Sequence, residues 1–430
     1  MQNIELNDDF KEALHYMNET DETLFITGKA GTGKSTLLKY FKFHTKKKSV
    51  FLAPTGLAAV NIGGQTIHSF FGFPPRPFDN HEIKKRRNRK VFENLETIVI
   101  DEVSMVRADL LDSIDYFMRK NGPNPYLPFG GVQMILIGDL FQLPPVVRED
   151  SMQFLAMRGY PSPFFFDAFS LQDIPPRIIE LRYHYRQSDE SFVNLLNKVR
   201  NKTIDYEDLH DLNTAAFRSE SAFVNQSFIT LTSTNRIAGQ INERELTTIP
   251  EEAFSYQGEI KGEFDERLLP CEAKLSLKKN AQVMFCRNDA EGRWVNGTIG
   301  KVIELTKEYI KVGVKEKEVI SVYKVSKEKW ELFVYNYNVE KQKIVAESIG
   351  SFTQYPLRLA WAITIHKSQG MTFQRVVIDL GRGAFAAGQV YVALSRCTHL
   401  GGIILKRKIQ HRDIMLDDAI VEYAAKNDIL

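Results

Sequence analysis

Cysteine is scarce in this 430-residue chain: Cys271, Cys286 and Cys397 are scattered, odd in number and never in a C-x-x-C spacing. That argues against a disulfide framework or a structural zinc and for a reducing, cytoplasmic compartment. Long apolar runs are also missing. None approaches the roughly 20 residues that a spanning helix needs, so no membrane partner is expected. The opening MQNIELNDDFKEALHYM has no basic-then-apolar order, and it reads as the start of an amphipathic helix rather than a signal peptide. No repeat at a solenoid period and no low-complexity tract is present. A bias of charge is lacking too: the net value is +2, so any information lies in how the charges are distributed.

What is present is a chain of 43% hydrophobic and 26% charged residues, the texture of a soluble globular protein of more than one domain. Short apolar runs end repeatedly in turns rich in functional groups: TLFIT before GKAGTGKST, SVFLA before PTG, TIVI before DEVSM, and QMILI before GDLFQLPP. Each reads as a buried parallel strand, and KSTLLKYFKF and RADLLDSIDYFMRK supply helices between them. An α/β fold follows, with ligands beyond the carboxyl ends of the strands. A second series of RIIEL, SFITLTSTN, AWAITIH, RVVIDL and QVYVALSR predicts a second α/β domain. Inside it, residues 247–352 alternate with period two, as in EYIKVGVKEKEVISVYKV, and predict an inserted antiparallel barrel. Residues 71–90 interrupt the first domain with a Pro-rich stretch, then KKRRNRK, basic at six of seven positions. That run is either a solvated loop or a phosphate contact. The expected boundaries are 1–70 and 91–174 for the first domain, 71–90 for its insertion, 175–246 and 353–430 for the second, and 247–352 for the barrel.

GKAGTGKS, Gly28–Ser35, lies between a strand and a helix, the context in which a P-loop wraps phosphates. Its glycines let backbone N–H groups approach the phosphates, Lys34 reaches the β- and γ-phosphates, and Ser35 can hold Mg²⁺. Asp101 at the end of TIVI is the second metal ligand, and Glu102 beside it orients or deprotonates the attacking water; a helix cap is the plainer use of such a pair. Gln142 carries a neutral amide suited to sensing a γ-phosphate, although a surface loop would place a glutamine equally well. Arg182, Arg186 and Arg396 lie in the half without a P-loop, where guanidinium groups can clamp phosphoryl charge.

Together these motifs resemble the Pif1-like group of superfamily 1B DNA helicases in its compact bacterial form. GKAGTGKST, APTGLAAVNIGGQTIHSFF, DEVSM, GDLFQLPPV, LRYHYRQ, AWAITIHKSQGMTF and VYVALSRCTHLGG match motifs I, Ia and II to VI, and PFGGVQ matches the stretch that sets the group apart. The resemblance implies two RecA-like parallel-sheet domains, a small wedge domain inserted in the first and an SH3-like β-barrel in the second. It implies ATP and Mg²⁺ as cofactors, single-stranded DNA and DNA forks as partners, 5′→3′ translocation, and a monomer or a dimer on DNA in the bacterial cytoplasm, associated with the nucleoid. Duplex, G-quadruplex and R-loop substrates stay open. An RNA-directed motor, a non-motor P-loop switch and a clamp-loader-like ATPase share parts of the pattern.

By position, the resemblance assigns Lys34, Glu102, Gln142, Arg186 and Arg396 to catalysis, the two arginines as fingers. Gly28, Ala30, Gly31, Thr32, Gly33, Lys34, Ser35, Thr36 and Gly370 go to ATP, with Ser35 and Asp101 on the metal. Thr55, Gly56 and His68, then Asn235, Thr364, His366 and Ser368, go to DNA. One departure stands out. Phe10 occupies the place where the group usually carries an adenine-reading glutamine, with Gln2 a remote substitute. Phe10 packs on the base or belongs to the helix core. Similarly, Phe70, Phe71 and Phe73 stack on DNA or form a local cluster.

Overall fold

The apolar runs of the N-terminal half are buried on both faces, as a parallel sheet between helices requires. β1 (Leu24–Gly28), β2 (Ser49–Ala53), β3 (Gln65–Thr66), β4 (Thr97–Ile100), β5 (Gln133–Ile137) and β6 (Arg177–Leu181) form one parallel sheet in the order β3-β2-β4-β5-β1-β6. Successive residues alternate sides. Leu24 and Ile26 join Leu37, Phe41, Val99, Ile135 and Ile137 in one core cluster, while Phe25 turns the other way, edge-on to Phe165. The helix α1 (Asp8–Glu19) adds Phe10, Ala13 and Met17, its buried stripe. α2 (Lys34–His44), α3 (Gly56–Ile62) and α4 (Ile67–Phe71) follow β1, β2 and β3 in turn. This computed structural model describes all residues except 1–5, 75, 184, 186–188, 220–226, 265, 317–318 and 430.

The chain divides into two compact units, Met1–Tyr185 with Glu331–Ile349 and Asp417–Leu430, and Arg186–Trp330 with Gly350–Leu416. This differs from the sequence boundaries in three places. RIIEL is β6 of the first sheet, in register with β1 from Leu24↔Arg177 to Gly28↔Leu181; the Pro-Pro pair before it follows a short helix and does not mark a domain boundary. Residues 331–349 belong to the first unit, where the Tyr335 hydroxyl accepts from Phe51 N at 3.1 Å and its ring meets Phe70 edge-on. Residues 417–430 belong there as well, with Tyr423 stacked on Phe166 at 4.3 Å.

The second unit is built on a parallel sheet in the order Ala362–Thr364, Ile229–Thr232, Val376–Asp379, Ile403–Leu405. Between the first two in sequence lies an antiparallel five-stranded sheet: Val319–Val325, Ile310–Glu316, Ile299–Leu305, Gln282–Phe285 and Leu357–Leu359 in spatial order. Its core contains Val283, Phe285, Trp294, Val302 and Val312. QVYVALS, read from sequence as a strand, is the helix Gln389–Ser395, buried along its whole length. A short, mainly apolar run has no period that separates a strand from a fully buried helix. Among the described residues, no helix is long and apolar enough to cross a membrane.

Candidate nucleotide site and nucleic-acid face

In the first unit, β4, β5 and β1 are adjacent, so their carboxyl ends bring three motifs to one rim. Gly28 ends β1, and the loop behind it turns through Gly31 and Gly33 at φ 89° and 90°, a left-handed region that favours glycine. Gly33 is the N-cap of α2, without a side-chain cap, leaving the first amides of α2 for an anion. The Lys34 ammonium donates to Gly28 O at 2.5 Å and Lys29 O at 3.0 Å. Thr32 is buried with its hydroxyl on Lys29 O, and Ala30 is buried beside it. Ser35 and Thr36 lie exposed on the first turn of α2.

The glycine at position 33 is needed on steric grounds as well. A Cβ there would stand 2.8 Å from Phe10 Cζ. Phe10 is 1% exposed and part of the core cluster, so it supports the P-loop from below and is not a base reader. Asn7 holds this corner: its side-chain oxygen accepts from Phe10 N at 2.8 Å, and its amide donates to the Tyr185 hydroxyl at 3.0 Å. Tyr185 N in turn donates to Gly31 O. The exposed Tyr185 ring, which the sequence reading passed over, thereby borders the phosphate loop. Gln2 lies outside the described residues.

Asp101 follows β4 and is held there by its N–H on Leu52 O at 2.9 Å. Burial pushes its carboxyl up to about 6, against the opposing pull of the Glu102 N–H at 3.0 Å and the Lys34 charge. A buried carboxylate and the Ser35 hydroxyl are hard oxygen donors, the set that fits Mg²⁺ when phosphate oxygens and water complete its shell. Glu102 adopts a left-handed φ of 52°, a strained position that costs about 1–3 kcal/mol for a residue with a Cβ. Gly138, after β5, presses on the same turn: a Cβ there would meet Val103 Cγ1 at 3.0 Å and Val103 N at 3.1 Å. Asp139 is 1% exposed and accepts from Phe141 N at 3.2 Å and from Gln142 Nε2 at 3.0 Å. A carboxylate accepts only, so it faces the NH₂ end of the amide and sets which way Gln142 points.

The nucleic-acid candidates fall at strand ends in each unit. Thr55 caps α3, its hydroxyl accepting from Ala58 N, and Gly56 is the first residue of that helix. His68, in α4, is held below the usual imidazole range by burial and then by the Arg107 charge, with Asp109 opposing. Phe70, Phe71 and Phe73 are buried against one another and against Phe92 and Phe117, so the structure decides for the local cluster.

In the second unit, Asn235 opens the helix after Ile229–Thr232, and Thr364 ends the neighbouring strand opposite Thr232. Thr364 Oγ1 accepts from Lys367 N at 3.2 Å, and burial lowers the affinity of His366 for its proton. Ser368 is fully buried with its hydroxyl on Ile365 O, so its side chain faces inward. Gly370 has φ 74° and open space around a Cβ. Phe385, absent from the sequence candidates, is 61% exposed and nearly parallel to His366, with 16° between the planes and 6.5 Å between centroids. A lone aromatic in the Gly-rich GRGAFAAG was its only signal.

Arg396 is 1% exposed. Its guanidinium reaches Val392 O at 3.0 Å, Ser395 Oγ at 2.8 Å and, more loosely, the carbonyls of Ser368 and Met371. It caps the helix Gln389–Ser395 at its carboxyl end. Arg186 lies outside the described residues. Arg182 is exposed, its N–H on Asp9.

Residues 5–209 match the model of the PIF1-like helicase family. The chain is 32% identical over 426 residues to the ATP-dependent DNA helicase Pif1 of Bdellovibrio bacteriovorus, covering 94% of this chain and 88% of that one. It is 34% identical to the ATP-dependent DNA helicase PIF1 of Mus musculus over 89% of its own length and spans 57% of that longer protein. The structure of Bacteroides sp. Pif1 in complex with ADP-AlF4 superposes with a TM-score of 0.89 at 35% identity, covering 99% and 98% of the two chains. That likeness carries the fold: two RecA-like parallel-sheet domains with an added antiparallel-sheet domain. The P-loop, the Asp-Glu turn and the Asp139–Gln142 pair on one rim agree with these similarities, and the chain belongs to the PIF1-like helicases.

Proposed function

We propose that this protein is an ATP-dependent DNA helicase that moves 5′→3′ along single-stranded DNA and displaces the partner strand at forks, as a monomer or as a dimer on DNA. The observation that carries the hydrolytic part is the shared rim of β1, β4 and β5. Lys34 exchanges the carbonyls of Gly28 and Lys29 for β- and γ-phosphate oxygens. The Glu102 carboxylate orients the attacking water and takes its proton, and Gln142, its amide set by Asp139, donates to a γ-phosphate oxygen. Ser35 and Asp101 would hold Mg²⁺, which when bound neutralises phosphate charge.

Arg186 and Arg396 are assigned to clamp that charge. For Arg396 this means trading backbone carbonyls for phosphate oxygens, so nucleotide state is felt directly at the Ser368–Met371 turn. Thr55, Gly56 and His68 in one unit and Asn235, Thr364, His366 and Phe385 in the other grip the DNA, with Phe385 offering a stacking face. Contacts to phosphate and to base faces bring no sequence preference, as a translocating motor requires. ATP binding and hydrolysis move the strand only through contacts that differ between the nucleotide states.

The test compares duplexes with 5′ or 3′ single-stranded tails, and DNA with RNA tails, in ATP and Mg²⁺. Displacement of the 5′-tailed DNA alone, lost in Lys34→Ala, is the expected result. Equal activity on RNA, or on 3′ tails, overturns the assignment of substrate or direction.

A further inference from the structure

The antiparallel sheet of the second unit ends in a free edge. Its last strand, Val319–Val325, pairs with Ile310–Glu316 on one side, from Ile310↔Val325 to Glu316↔Val319, and with no strand on the other among the described residues. On that edge Val319, Ile320 and Val322 are 66%, 61% and 51% exposed. An unpaired edge with three bare aliphatic side chains is a template for another strand, and folded proteins ordinarily shorten, charge or cover such an edge.

Register decides which side chains share the outer face. Gly313 stands opposite both Lys301 and Val322, Lys315 opposite Ile320, and Lys311 opposite Lys324, while the core residues Val302, Val312 and Val314 turn to the other side. Ile303 and Ile320 meet over Gly313, where a Cβ would stand 3.1 Å from Ile303 Cδ1 and 3.2 Å from Ile320 Cγ2. A flat aliphatic strip of Ile303, Ile320 and Val322 therefore crosses the sheet to its edge. Charge around the strip is one-sided. Glu304, the carboxylate that these three strands place on this face, is taken up by Lys311 at 2.7 Å and by the Tyr309 hydroxyl at 2.7 Å. Lys301, Lys315 and Lys324 are left in excess, Lys324 resting 4.6 Å from the Tyr309 ring centroid.

The chemistry selects among occupants. A row of backbone N–H and C=O groups is answered by another strand, and an aliphatic strip gives a base no ring to stack on. A second copy of the chain would set the same lysines against one another. An extended peptide that carries carboxylates satisfies the edge, the strip and the lysines together.

We propose that this edge takes up an extended, acidic segment of a partner protein as an added strand. Two aliphatic side chains at alternate positions lie beside Ile320 and Val322, and a carboxylate at the next alternate position faces Lys324. The proposal goes beyond the helicase reading and does not depend on it.

The experiment titrates the full chain into a fluorescein-labelled peptide in which Val and Thr alternate and the last two Val positions are Glu, and into the same peptide with Lys in place of Glu. Hydrogen exchange of residues 319–325 is followed at saturation. Preference for the Glu peptide, with slowed exchange in 319–325, is expected. Ile320→Thr/Val322→Thr keeps β-branched side chains at exposed positions and weakens binding about tenfold or more, while DNA-stimulated hydrolysis and the unfolding midpoint stay as in the parent. Lys315→Glu/Lys324→Glu reverses the preference toward the Lys peptide, which a merely structural role for those lysines would not produce. Equal binding of the two peptides, or binding without protection of 319–325, overturns the proposal. Single-stranded DNA binding that weakens in Ile320→Thr/Val322→Thr overturns it in favour of nucleic acid. A concentration-dependent dimer in sedimentation, dissolved by the same double variant, overturns it in favour of a second copy.

Discussion

Asp139 holds Gln142 by a hydrogen bond of 3.0 Å from the amide nitrogen to a carboxylate that is almost wholly buried. The glutamine has a second amide proton, and the carboxylate determines where that proton points. Asp139→Asn removes this constraint, because an asparagine can present either end of its amide. The expected result is a kcat for DNA-stimulated hydrolysis lowered by about 10- to 100-fold with KM for ATP little changed, corresponding to a hydrogen bond to a charged group of about 1.5–3 kcal/mol. Steady-state kinetics on the single and double variants checks it. If Asp139→Asn and Gln142→Ala add fully, the two residues act independently and the positioning role is wrong.

Phe10 sits under the P-loop, so its removal should be felt as lost stability and not as altered base choice. Phe10→Ala is expected to cost about 3–5 kcal/mol in denaturant unfolding, the usual range for a buried phenylalanine. The ratio of kcat/KM for ATP over GTP should stay as in the parent. A changed ratio in a folded Phe10→Leu protein would return Phe10 to the base.

Arg396 serves its own unit and, in the proposed mechanism, the phosphates. Arg396→Ala should therefore do two things. Hydrolysis slows by about 10³-fold or more, as loss of an arginine finger does, and the midpoint of unfolding drops because the Ser368 and Met371 carbonyls lose their partner. A stability loss with unchanged kcat leaves only the structural role.

Lys42 offers a pH signature. Its ammonium lies 5.1 Å from the Phe51 ring centroid and donates to Ile62 O and Gly63 O at 2.7 and 2.6 Å. Burial brings its pKa down to about 8 from the ordinary 10.5. Between these values the unfolded chain binds the extra proton, so stability rises with pH through that window and is flat below it with respect to this group. The difference in unfolding free energy between the parent and Lys42→Met is expected to shift in favour of the parent by up to ~3 kcal/mol from pH 8 to 10.5, from ~1.4 kcal/mol per unit. A difference that is constant across that range removes Lys42 as the cause.

The P-loop, the Asp-Glu turn and GDLFQLPP were legible from residue order, because each follows a short run of buried, mostly apolar residues and depends on local backbone geometry. Five-residue stretches such as LFITG and QMILI declare a buried strand unaided. They do not say which strand they will pair with. RIIEL joins the first sheet through β1, more than a hundred residues upstream, and QVYVALS coils into a helix because its surroundings bury every side of it.

The same limit governs the site. Chain order supplied Lys34, Asp101, Glu102 and Gln142, whose types and spacings follow from the chemistry of a triphosphate. That Phe10 is core, that Asp139 steers Gln142 and that Phe385 faces His366 all depend on burial and on contacts between distant segments. Those are set by packing, a property of the assembled chain that no local pattern encodes.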